Sequence, residues 1–73
     1  MQDKNKKLLQ SLGKRIYDLR KARNLTRENF CYKNFLDPSN LAKYEKGLVE
    51  PKYLTLVKIA KAFDMKVSEL LDF

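Results

Sequence analysis

Residues 25–47 read LTRENFCYKNFLDPSNLAKYEKG, and two helix starts lie close together within them. Thr26 is a favoured N-cap, because its hydroxyl can accept a hydrogen bond from an otherwise unpartnered N–H of the first turn. Leu25 before it and Phe30 four positions after it have the spacing of a hydrophobic staple. Asp37 repeats the device, with Leu36 facing Leu41 and Pro38 at the first helical position, where its missing N–H does no harm. The spacing predicts a helix over 27–33, a break of about four residues, and a second helix over 38–46. So short a break admits only a sharp turn, and the apolar sides of both helices must then meet a common neighbour. Gly47 suits the C-terminal cap of the second helix.

That neighbour lies upstream. Leu9, Leu12, Ile16 and Leu19 recur at steps of three and four, which predicts one apolar stripe on a helix over about 3–23. Gly13 inside it costs up to ~1 kcal/mol against alanine, so it marks either the close approach of another helix or nothing in particular. Downstream, 48–52 with Pro51 reads as a loop, and Tyr53, Leu56, Ile59, Ala60 and Phe63 mark a fourth helix. Ser68 is expected to cap a last turn over 69–72. No segment reads as a strand. Residues 1–73 are expected to form one domain, with a free basic tail at about 1–5.

Composition narrows the function. The chain has 73 residues, no histidine and a single cysteine, Cys31, so it offers no intramolecular disulfide and no Cys/His zinc site. Without His there is no Ser/His or Cys/His nucleophile pair, and the only glycines, Gly13 and Gly47, make no phosphate-cradling loop. Neither catalysis, a cofactor nor a bound metal is expected. No apolar run approaches the roughly 20 residues of a membrane span, and MQDKNKKLLQ at the N-terminus lacks the apolar stretch of a signal peptide. The expected location is the cytoplasm. The net charge of +7 is unevenly placed: residues 4–33 hold ten bases against two acids, Asp18 and Glu28, whereas 34–73 hold six of each. Such an excess suits either a polyanion binder, nucleic acid foremost, or a solvated face.

In order and spacing, LGKRIYDLRKARNLTRENF, LDPSNLAKYEKG and EPKYLTLVKIAKAFDMKVSELL, together covering 12–71, resemble the Cro/C1-type (XRE) helix-turn-helix family. The resemblance implies an all-α, compact five-helix, lambda-repressor-like DNA-binding domain with helices two and three as the helix-turn-helix. Three positions depart from the family's habit: Arg27 stands for the usual Gln, Cys31 for Ala, and Phe35 for a Gly of the turn. Because a bulky residue is strained at positive φ, Asn34 is expected to take the left-handed conformation in place of Phe35.

The resemblance also implies that the third helix enters the DNA major groove. Its base-facing residues would be Pro38, Ser39, Asn40 and Lys43. Asn40 can pair with adenine, Lys43 can donate to guanine acceptors, Ser39 can serve a base or a phosphate, and Pro38 offers apolar contact only. Arg27, Lys46 and Lys52 are the phosphate candidates, with Lys14, Lys33, Lys4, Lys6 and Lys7 behind them. Arg20 and Glu45 are assigned a structural role, as an ion pair tying the first helix to the end of the third. Leu54 and Val57, with Met65, Val67, Leu70, Leu71 and Phe73, supply either a homodimer surface or simply the core. The expected function is a transcriptional regulator, a repressor on a palindromic operator. The alternative is a protein-interaction module or an antitoxin whose partner is a toxin.

Overall fold

An apolar stripe on a long helix needs a cover, and four shorter helices supply it. The computed structural model describes residues 3–73, with side chains from residue 5 onward. Its elements are α1 (Asp3–Ala22), α2 (Arg27–Asn34), α3 (Pro38–Glu45), α4 (Tyr53–Ala62) and α5 (Val67–Leu70), with no strand among the described residues. Of the tail expected at 1–5, residues 3–5 belong to the first turn of α1, and Met1 and Gln2 lie outside the described residues.

The buried cluster draws on every helix: Leu12 and Ile16 of α1, Phe30 and Cys31 of α2, Leu41 of α3, Ile59, Ala60 and the adjoining Phe63 of α4, and Leu70 of α5. The Phe30 and Phe63 rings stack with centroids 4.8 Å apart, pinning α2 to the end of α4. Cys31 is fully buried, and burial pushes its thiol up to about 11. Gly13 marks a close approach. A Cβ there would fall on the carbonyl oxygens of Tyr44 and Glu45, so α1 crosses the end of α3 backbone to backbone.

Four helices stop in the same way. After α1, α2, α3 and α4 the chain turns through a left-handed residue, respectively Asn24 (φ 55°), Phe35 (φ 56°), Gly47 (φ 70°) and Asp64 (φ 58°). Each time the next amide reaches back to a carbonyl five residues earlier: Leu25 to Arg20, Leu36 to Cys31, Leu48 to Lys43, and Met65 to Ala60. Asn, Gly and Asp tolerate this conformation. A bulky side chain does so at a cost of about 1–2 kcal/mol. The left-handed residue of the helix-turn-helix is thus Phe35 and not Asn34. Asn34 remains helical and donates its side-chain amide to the Phe30 carbonyl at 2.7 Å.

Three further local expectations change. Thr26 caps α2 by accepting from the Asn29 amide at 3.1 Å, but Asp37 caps α3 by position only, without a side-chain hydrogen bond. Pro38 already removes one donor and sets the first helical φ there. The last helix starts at Val67, two residues earlier than a Ser68 cap would place it, because the Glu69 carboxylate accepts from the Lys66 amide at 3.0 Å. Tyr53 opens α4 with 67% exposure and does not join the inward stripe.

Candidate nucleic-acid interface

The third helix has one buried side and one wet side. Leu41 is buried and Tyr44 half-buried against the core, which turns Ser39, Asn40 and Lys43 to solvent with Pro38 partly covered beside them. Asn40 and Lys43 are three apart and so share a face. Asn40 lines an open groove of about 270 Å³ together with Phe35, Asp37, Tyr44, and Thr55 and Lys58 of α4. Thr55 and Lys58 escape a reading of the α3 register, since they reach Asn40 through tertiary packing alone.

The C-terminal end of α3 is held by charge. Arg20 forms a two-pronged contact with Glu45, from Nε at 2.8 Å and Nη2 at 3.1 Å, and its Nη1 donates to the Leu25 carbonyl at 2.7 Å. The two side chains are 5% and 2% exposed, and the hydrogen bond to Glu45 raises the Arg20 pKa above its ordinary value. A third group joins them: Arg27 donates its Nε to Glu45 at 2.9 Å while its side chain stays 36% exposed. One buried carboxylate therefore serves two guanidiniums, and the positive charge it leaves uncancelled faces outward at the start of α2. No spacing rule links residues 27 and 45.

The start of α2 opens onto a second groove, of about 380 Å³, bordered by Tyr17, Lys21, Thr26 and Arg27. Lys21 lies 6.0 Å from the Tyr17 ring centroid. Lys46 and Lys52 are exposed on either side of the loop after α3. Several other bases are committed to the fold. Arg15 donates to the Glu69 and Leu70 carbonyls at 2.9 and 3.3 Å, and Arg23 to Leu19 and Phe63 at 3.1 and 3.2 Å. Lys14 pairs with Asp18 at 2.7 Å. The basic excess of the N-terminal half is thus partly mortar between helices, through Arg15, Arg20 and Arg23, while Lys6, Lys7, Lys14, Lys21 and Lys33 are exposed and Arg27 is partly so.

Elsewhere Tyr53, Leu54, Leu71 and Phe73 are exposed, whereas Leu70 is buried and Met65 and Val67 pack on the core. Leu71 and Phe73 border an open groove of about 530 Å³, lined otherwise mainly by Leu8, Leu9, Leu12, Pro51 and Leu56. No helix among the described residues is long and apolar enough to cross a membrane.

Several known structures share this arrangement. The restriction-modification controller protein C.AhdI from Aeromonas hydrophila superposes with a TM-score of 0.80 at 31% identity, over 85% of this chain and 94% of that one. The competence regulator ComR from Streptococcus vestibularis gives 0.83 at 32%, with 89% of this chain matching 22% of ComR. The clp gene regulator ClgR from Corynebacterium glutamicum shares the fold, with a TM-score of 0.80 at 22% identity over 88% of this chain and 68% of that one. No curated protein sequence matches the chain. The profile of the helix-turn-helix domain family matches residues 13–72, and the chain belongs to that family, in its Cro/C1 type.

Proposed function

We propose that this protein is a sequence-specific duplex-DNA-binding transcription regulator, acting in the cytoplasm as a homodimeric repressor on a palindromic operator. The observation that carries the reading is the division of α3: Leu41 buried, Ser39, Asn40 and Lys43 exposed, and the helix end clamped through Glu45. Asn40 and Lys43 read base edges in the major groove, Ser39 serves a base or phosphate, and Pro38 adds apolar contact. Arg27, held by Glu45 yet partly exposed, grips the backbone at the start of α2, and Lys46 and Lys52 extend that grip. Membership of a helix-turn-helix family and likeness to a restriction-modification controller support the regulator role.

Exposed Tyr53, Leu54, Leu71 and Phe73 support the dimer. A two-fold pair would set its recognition helices one DNA turn apart, about 34 Å. The open apolar groove beside Leu71 and Phe73 is the observation that favours a second reading, in which a protein such as a toxin is the main partner.

Selection from a random duplex pool at about 150 mM salt separates the two, because purely electrostatic binding fades there. Enrichment of a palindrome with half-sites about ten base pairs apart is expected. A folded protein that enriches nothing would overturn the DNA reading.

A further inference from the structure

Among the four left-handed helix ends, Asn24, Gly47 and Asp64 are residues suited to that conformation, and Phe35 is the exception. Its ring gains nothing from the fold in return, since Phe35 is 87% exposed. A strained residue that the folded chain does not use points to use by something the chain binds. Its position says what. Phe35 borders the same groove as Asn40, with Thr55 and Lys58 on the far wall. Phe35 is the one exposed apolar side chain of that groove, beside the polar groups of Asp37, Asn40 and Lys58, and so suits a ligand that carries one apolar group among polar edges. In the major groove that group is the thymine 5-methyl, which no other base presents.

We propose that Phe35 is a specificity-determining residue, its ring packing on a thymine 5-methyl next to the base read by Asn40. This deepens the DNA reading of α3 and rests on it. The ring would add preference at one position of each half-site that the polar residues of α3 leave unread. It also accounts for Phe at a position where glycine would relieve the backbone.

The test uses the duplex that the wild-type protein selects, with each thymine replaced in turn by deoxyuracil, which removes the methyl group alone. Affinities are measured for the wild type, Phe35→Gly and Phe35→Ala, alongside their melting temperatures. The wild type is expected to lose roughly three- to tenfold in affinity at one uracil per half-site, toward the low end of the discrimination a single base contact gives. Both variants should bind thymine and uracil duplexes equally at that position, and Phe35→Gly should melt no lower than the wild type. Equal uracil sensitivity in all three proteins, or an unchanged selected sequence for Phe35→Gly, would overturn the assignment while leaving the DNA reading intact. If the wild type selects no duplex at all, the DNA reading falls and the role of Phe35 falls with it.

Discussion

The two ends of α3 are built to opposite specifications. At the C-terminal end, Glu45 is clamped between Arg20 and Arg27, Gly13 lets α1 touch backbone, and Gly47 closes the helix without strain. At the N-terminal end, Asp37 makes no capping bond, Phe35 carries a strained φ and an exposed ring, and Ser39 and Asn40 face water. One end is satisfied by the protein itself. The other keeps polar and apolar groups unspent. A reading helix needs both, since a contact at a base edge discriminates only if the helix that carries it is held in place.

Substitutions at the two ends should therefore separate into effects on folding and effects on recognition. Glu45→Ala is the largest blow to the anchored end. It strands the buried Arg20, and breaking a buried pair costs about 3–5 kcal/mol, so thermal unfolding should show a melting point lower by more than ~12 °C, or no folded protein. Retention of the wild-type melting point would mean that the clamp does not hold α3.

Gly13→Ala probes the same end from α1. One added methyl meets the Tyr44 and Glu45 carbonyls, and overpacking of this kind costs about 1–3 kcal/mol. The expected readout in urea is a lower midpoint with an unchanged slope. A neutral result would show that the helices can part there at no cost.

How far these ends could be read from the sequence follows from the range of the forces. The starts of α2 and α3 are local affairs of Thr26 and Pro38, and the sequence places both. The turn between them is not local. Asn has the better left-handed propensity, but Asn34 spends its side chain on Phe30, and Leu36 must pack on the core, so the reversal falls on Phe35. The start of α5 is misplaced by two residues for a similar reason, because Glu69 reaches back to Lys66 and moves the helix start ahead of Ser68. The link from Arg27 to Glu45 and the placing of Lys58 beside Asn40 are tertiary contacts between residues whose separation carries no period. The resemblance to a family implied the fold and α3 as the reading helix. Which arginines are mortar, and which face outward, emerged only from the packing.

The smallest expected stability effect lies at the open end and has the opposite sign. Phe35→Gly releases the strained φ, offset in part by the greater freedom of glycine in the unfolded chain, and should change stability by +1 kcal/mol or less, on the order of a few degrees in melting temperature. A marked loss of stability would show that the exposed ring supports the fold and would erase the contrast between the ends.

The central claim is that the exposed face of α3 recognises and does not stabilise. Its most direct test is the ratio of affinities for selected and random duplex at about 150 mM salt, measured for the wild type and for Asn40→Ala/Lys43→Ala. The account predicts that this ratio collapses in the double variant, with about 1–3 kcal/mol of discrimination lost for each residue, while the melting temperature holds. A double variant that keeps the wild-type ratio would contradict it.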